Sequence, residues 1–421
     1  MRIDYSLPEA SSSYYYLDAP FRYGFQHLQN LTRATLAEQS MRIELLTICE
    51  KIQELVLGIL EMLPIIGHLV AYIEKKLCDH GIRVIRLTQT DPYQMGLEQA
   101  KLLKDDIQFI IQKIVKIYTT LMEQKGLIPL QLAQQLQKNI PAEYLEEMRG
   151  ISDGSGIPFS EILIANTLSD IMDLFCCSIY AIEDDGKKVR REIATNFFIS
   201  QRASSPNVNH SFARHDSLLT HTFSADVKSL KQALASVNAS DTIRSIIFHV
   251  NTRDIELATA GGYAANRPFT YLKGVDLFPN TQPKPAKKTV FLARNLDWPM
   301  PLLAQESVLI IRPASDNKKS TAIVSFPGII GAISGINEAG TSLAVTVVPS
   351  SKQQETPNQL IIRSILERAD SSAQAVTMMQ TAKPASPMNV VIGAHDGIAR
   401  IELDPSRATT GPAAPVSRGI E

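Results

Sequence analysis

Two short stretches hold the residue types able to do covalent chemistry. One is Phe175-Cys176-Cys177-Ser178-Ile179-Tyr180-Ala181, and the other is Phe291-Leu292-Ala293-Arg294-Asn295-Leu296-Asp297-Trp298. A cysteine placed where a helical segment gives way to strands is a candidate nucleophile, because the thiolate is the reactive form and a neighbouring cation favours it. In the second stretch an apolar strand ends in an Arg, an Asn and an Asp. Positions two apart share one face of a strand, and a bend after Asn295 would bring Arg294 and Asp297 together. By pattern alone a core role for both cysteines competes with this, since free Cys is among the most buried residue types. A plain salt bridge at a strand end competes for Arg294 and Asp297.

The surrounding elements must position these residues. From about residue 33 apolar side chains recur every three or four positions, through Leu36, Met41, Leu45, Cys49, Ile52, Val56 and Leu60, the spacing of an amphipathic helix. A second helix is expected from Ile65 to Cys78, a short strand from Val84 to Thr88, a long helix over 96–122 and a short one from Leu130 to Gln137. Pro141 to Arg149 and Pro158 to Asp173 predict two more helices, separated by small residues from Gly150 to Gly156. Beyond Cys176 strands take over. Cys177 to Ile182 is closed by Asp185-Gly186, a strong hairpin signal that calls for an immediate partner strand. That partner reads as displaced by an insertion from about Lys187 to Lys288, of a kind that usually sits at the surface and covers a site. From Thr289 onward strands, two amphipathic helices and a hairpin at Asp396-Gly397 predict a sheet with helices packed on it.

The 421 residues allow two domains, or one with large additions, and 44% apolar with 20% charged residues is ordinary for a globular chain. A net charge of -1 gives no reason to expect nucleic acid or an anionic membrane as partner. The four cysteines make no disulfide framework in a chain this long. His210, His215 and His221 are close in sequence but lie in a polar, loop-like segment without cysteines, so neither a metal nor a cofactor is expected. The first twenty residues carry acids and no apolar core, unlike a secretory signal. Ile52 to Ile73 is interrupted by Glu54, Glu61, Pro64 and His68, which favours a buried helical hairpin over a membrane span, with lipid-surface contact as the alternative. Residence in the cytoplasm and export without a conventional signal peptide both fit, as does a homo-oligomer.

Taken together the two stretches resemble the N-terminal-nucleophile linear-amide hydrolases, the family of choloylglycine hydrolase, acid ceramidase, N-acylethanolamine acid amidase and isopenicillin N acyltransferase. Mature chains of that family begin at a Cys, commonly followed by Thr or Ser and a small-apolar strand, as in Cys176-Cys177-Ser178-Ile179-Tyr180-Ala181. A strand ending in Arg-Asn-x-Asp-Phe/Trp is present as Arg294-Asn295-Leu296-Asp297-Trp298. A Gly-rich turn leading to a strand is present from Gly328 to Val348, with Gly335-Ile336-Asn337-Glu338-Ala339-Gly340. Upstream, Tyr144 to Ile151, Glu161-Ile162-Leu163 and Asn166 resemble the family's precursor helices. The resemblance covers about 141–186 and 289–405.

The resemblance implies an α+β fold, a four-layer αββα sandwich with an added N-terminal helical region. It implies self-cleavage between Phe175 and Cys176 into halves, 1–175 and 176–421, that stay associated. The freed Cys176 would carry both thiol and α-amine, and an amine titrating near ~8 can take the thiol proton. Arg294 would stabilise the thiolate and the charge developing at the attacked carbonyl, and Asp297 would hold the amine. Asn295 would order the turn. Trp298 would wall an acyl pocket or fill core. Cys177 is expected to be structural. The reaction implied is hydrolysis of a linear acyl amide with an apolar acyl part, or transfer of the same acyl group to an amine. Val348, beside Thr346, stands where the family tends to place an oxyanion Asn, and no second Asn-bearing strand is evident past Pro405. Asn337 and Asn389 remain as substitutes. Loss of one such donor costs about 3 kcal/mol of transition-state stabilisation, so weak activity or a shortened form is one expectation. A non-catalytic descendant serving as a binding module is the reading from another class.

Overall fold

The computed structural model describes residues 82–405 except 125, 172–175, 198, 200–210, 221–223, 284, 286, 299–305 and 349–354, and at 113, 114 and 176 only the backbone. The helices expected before residue 81, and the apolar run Ile52 to Ile73, lie outside the described residues. No helix among those described is long and apolar enough to cross a membrane.

After the short strand β1 (Arg83–Arg86) the chain forms α1 (Pro92–Phe109), a π-helical turn (Ile110–Val115), α2 (Lys116–Gln124), α3 (Pro129–Gln137), α4 (Ala142–Ser155) and α5 (Phe159–Ile171). Asp91 caps α1 by accepting from the Gln94 amide at 2.9 Å, and Pro92 starts it without wasting a donor. The small residues between the two predicted helices do not break the chain; α4 runs on through Ser155. They serve close packing instead. A Cβ on Gly150 would lie 2.0 Å from the Tyr93 carbonyl oxygen, and one on Gly96 2.0 Å from that of Glu147. Gly156, at φ +77, ends α4 in the left-handed conformation.

Strands β2 (Cys176–Asp184) and β3 (Val189–Ala194) make an immediate hairpin through Asp185-Gly186. The sequence reading had displaced this partner strand. Helices α6 (Ser211–Thr220) and α7 (Val227–Ser236), strands β4 (Thr242–His249), β5 (Asp254–Thr259) and β6 (Thr270–Leu272), and the single turn α8 (Gly274–Leu277) follow. Then come β7 (Thr289–Asp297), β8 (Val308–Arg312), β9 (Thr321–Ser325), β10 (Ser334–Asn337), β11 (Ser342–Val347), α9 (Asn358–Leu366), α10 (Ser372–Thr381), β12 (Met388–Ala394) and β13 (Gly397–Leu403).

The strands form two sheets, in the orders β3-β2-β7-β4-β5-β6 and β1-β8-β9-β10-β11-β12-β13. Segment 187–288 is thus no surface cover. It supplies four of the six strands of one sheet, with β4 bonded along β7. The reason lies in β4 and β5, whose residues are nearly all buried on both faces, as strands covered on both sides require.

Three apolar layers hold the fold together. Ile179, Ile246 and Leu292 of the six-stranded sheet meet Leu309, Val324 and Val391 of the other. The outer face of the seven-stranded sheet, with Ile310, Ile323 and Val390, packs on α1, α4, α5 and α9 through Ile107, Met148, Leu168 and Leu360. The outer face of the six-stranded sheet, with Tyr180, Ile247 and Ala293, packs on Leu218 of α6 and Leu230 and Leu234 of α7. Helix, sheet, sheet, helix is the αββα sandwich, with extra helices on the N-terminal side.

Candidate active site

The site is built on the pairing of β2 with β7. Cys176 lies opposite Asp297, Cys177 opposite Leu296, Ser178 opposite Asn295 and Ile179 opposite Arg294. Directly paired residues share a face and neighbours along a strand alternate. Arg294 and Leu296 therefore fall on the face of Cys177 and Ile179, and Asn295 and Asp297 on that of Ser178. The expected bend after Asn295 does not occur, because β7 stays paired through Asp297 with β2 and, at its other edge, β4.

Side chains follow this division. On the inner face, Arg294 Nη2 donates to Cys177 Sγ at 2.8 Å. Its Nη1 donates to the Ile333 carbonyl. Burial pushes the Cys177 thiol above its ordinary value while Arg294 pulls the other way. A second buried guanidinium, Arg244, lies on the same face two positions from Ile246, the β4 partner of Arg294. It donates to Ser307 Oγ at 2.6 Å and the Ser325 carbonyl at 2.9 Å, 3.8 Å above the Phe326 ring.

On the outer face Asp297 is fully engaged. Its Oδ2 accepts from Arg214 Nη1 at 2.6 Å and its Oδ1 from Thr242 Oγ1 at 2.6 Å. Burial pushes its carboxyl up to about 6, against the pull of Arg214 and with a push from Asp241. Arg214 also donates to Ser178 Oγ at 3.0 Å and to Asn196 Oδ1 at 3.0 Å. Asn196 Oδ1 accepts from the Cys177 amide at 2.9 Å, and its Nδ2 donates to Thr346 Oγ1 and the Val347 carbonyl, each at 2.8 Å. One amide side chain thus ties the start of β2 to the far sheet.

The remaining sequence candidates fall as follows. Asn295 accepts from Ser245 Oγ at 2.7 Å and donates to the Leu234 carbonyl at 2.8 Å, fixing α7 to β7. Trp298 Nε1 donates to Tyr118 Oη at 2.7 Å. Its ring helps line a small apolar cavity with Tyr118, Phe326, Leu168, Ile329 and Ile333. Thr346 joins the cluster through Asn196. Asn337 does not: it donates to the Leu366 and Ala369 carbonyls at 2.8 and 2.7 Å and organises its own turn. Asn389 donates to the Thr195 and Phe197 carbonyls at 2.9 and 2.8 Å, bracketing Asn196.

Sequence reading missed Asn196, Arg214, Thr242 and Arg244, all from segment 187–288. A signal existed for Arg214. Buried Ser211, Arg214, His215 and Leu218 follow helical spacing, so an arginine occupied the core stripe of a segment read as polar loop. His215 lies on this helix, while His210 and His221 lie outside the described residues, and no metal-binding group of side chains occurs among those described.

A family model described as acyl-coenzyme A:6-aminopenicillanic acid acyl-transferase matches residues 284–416, which run from the approach to β7 past β13. Protein dcd1A of Dictyostelium discoideum is 30% identical over 124 residues, covering 24% of this chain and 28% of the relative. The chain thus matches less than a third of that protein's length. The Arg294–Trp298 strand lies inside the matched segment, and this match together with the αββα sandwich supports an assignment to the N-terminal-nucleophile hydrolases and acyl-transferases.

Proposed function

We propose that the chain is a cysteine N-terminal-nucleophile enzyme that cleaves a linear acyl amide through a thioester, with Cys176 as nucleophile. The observation that carries this reading is the register: Cys176 opens β2 directly opposite Asp297, one residue from the cysteine that Arg294 touches. Hydrolysis of the Phe175–Cys176 bond would leave a carboxyl on Phe175 and an α-amine on Cys176. That amine takes the thiol proton, and the sulfur attacks the substrate carbonyl. Collapse expels the substrate's amine, which leaves with the proton, and water resolves the thioester to a free acid. An amine acceptor in place of water makes the same acyl-enzyme an acyl-transferase.

Asp297, directly paired with position 176, serves as acceptor for the new α-amine beside Arg214, whereas Arg294 falls on the Cys177 face and serves as the cation for thiolate and oxyanion only once scission frees residue 176 to turn toward it. The apolar cavity walled by Trp298, Tyr118 and Phe326 takes an apolar acyl group, since its lining offers few polar atoms to any other kind. Helices α1, α2 and α5 precede the scission point yet pack in the same core as β8 and β9, which supports halves that stay together after cleavage.

A second reading, a non-catalytic binding module on this fold, draws on the Arg214–Asp297 pair, which already engages the carboxylate meant for the amine. Intact-mass spectrometry of the purified chain separates the two. Fragments ending at Phe175 and starting at Cys176, lost in Cys176→Ala, support the enzyme. A chain intact after long incubation supports the module, and scission that survives Cys176→Ala but not Cys177→Ala would move the nucleophile by one residue.

A further inference from the structure

At the far end of β9 from the Trp298 cavity, a second small pocket lies between α1, α4, the β8–β9 turn and α9. Five residues of strand separate the two, about 17 Å at strand rise. Its character is the reverse of the first. Four cations line it (Arg312, Lys318, Lys319 and Arg363) against three carboxylates (Glu143, Glu147 and Glu367).

Arg312 is the key. It is 2% exposed, and only its Nη2 finds an acceptor, Glu147 Oε1 at 3.0 Å. Its Nε and Nη1 have none among the described residues. The nearby carboxylates are committed elsewhere. Glu147 is shared with Arg363, whose Nη1 lies 2.6 Å from its Oε2. Glu367 takes Arg363 Nε at 2.7 Å and Lys318 at 3.2 Å, and Glu143 takes Lys318 at 2.7 Å. A buried guanidinium that lacks acceptors for three N–H bonds is costly, and native folds seldom leave such groups without a partner. Because Nε–H and the Nη1 hydrogens diverge, the missing acceptor must offer oxygens in more than one direction.

We propose that this pocket binds a compact tetrahedral oxyanion of the phosphate or sulfate type, on Arg312 with Lys318 and Lys319 at its mouth. Such a ligand supplies the absent acceptors through charge-assisted hydrogen bonds. It also bridges α4, upstream of Cys176, to β8 and α9 downstream of it. The site stands apart from the proposed amidase chemistry.

Isothermal titration calorimetry of the full-length chain tests this, with sodium phosphate and sodium sulfate against sodium acetate and sodium chloride at matched ionic strength. Saturable one-to-one binding of phosphate or sulfate is expected, with none of chloride. Lys319→Glu should weaken it at least about tenfold. This variant keeps the fold, because Lys319 is partly exposed and its partner Asp370 half exposed, and such pairs contribute little. Arg312→Gln should abolish binding; if that variant does not fold, Lys319→Glu decides. Heats identical for all four salts, acetate binding as tight as phosphate, or affinity unchanged in Lys319→Glu would each overturn the assignment.

Discussion

Arg214 of α6 and Asp297 at the end of β7 form a buried ion pair, Nη1 to Oδ2 at 2.6 Å, with the side chains 9% and 2% exposed. Eighty-three residues apart in sequence, they meet on the outer face of the six-stranded sheet beside the start of β2. Removing the cation should strand the carboxylate. Arg214→Met is expected to cost about 3–5 kcal/mol, the penalty for breaking a buried pair from one side. Chemical denaturation near neutral pH measures it, and a loss below ~1 kcal/mol would mean that solvent reaches Asp297.

The pH dependence of stability carries a definite sign. Asp297 is pushed up to about 6 in the fold, above its ordinary 3.8. The folded state therefore holds a proton that the unfolded chain releases between those values. Its contribution is complete below the unfolded value and is lost as pH rises through about 6, by roughly 3 kcal/mol in all. Stability should decline with rising pH across that window, and Asp297→Asn should flatten the decline. Denaturant midpoints read every half pH unit would expose a slope of the opposite sign.

Asn196 is expected to matter more than its place outside the recognised motifs suggests. Substitution by Ala leaves the Cys177 amide without its acceptor, removes one from Arg214, and takes a donor from Thr346 and the Val347 carbonyl. Each buried group left unpaired costs about 1–3 kcal/mol. In the proposed enzyme, self-cleavage should slow as well, because the backbone at the nucleophile loses its anchor. Normal cleavage in a chain that unfolds at the wild-type midpoint would reduce Asn196 to a spectator.

Filling the apolar cavity tests its assignment to the acyl group. Ala165 lies in its wall, and Ala165→Phe should cost about 1–3 kcal/mol through overpacking. Turnover of long-chain acyl amides should fall while that of short-chain ones persists. Equal losses for both would place the acyl group elsewhere.

Gly150→Ala tests helix packing apart from the site. In an exposed helix the change would gain about 1 kcal/mol. Here the added methyl meets the Tyr93 carbonyl at 2.0 Å, so a lowered melting temperature is expected, and a raised one would contradict the close α1–α4 approach.

Much was open to reading in the chain itself. Patterns of two and of three to four located β1, β2, strands beyond Thr289 and most helices, because burial on one or two faces leaves a local imprint. Arg294-Asn295-Leu296-Asp297-Trp298 stood out by its residue types and its resemblance to a family motif, while the bend expected after Asn295 is absent because β7 stays paired through Asp297. The Gly150–Gly156 stretch misled because small residues favour a break in isolation and close contact when a partner helix arrives. Asp185-Gly186 signalled the β2–β3 hairpin correctly, and only the long polar stretch behind it hid the return strand.

The sequence by itself determined the period of most elements, since each depends on neighbours within a few positions, and its resemblance to a known family implied the αββα class and singled out the two candidate stretches. Tertiary structure alone decided that Arg294 faces Cys177 while Asp297 faces Arg214, that Asn196 ties β2 to β11, and that segment 187–288 forms sheet. Those outcomes depend on strand register and on which helix covers which face, and both are fixed by contacts between residues tens to more than a hundred positions apart, which no local pattern encodes.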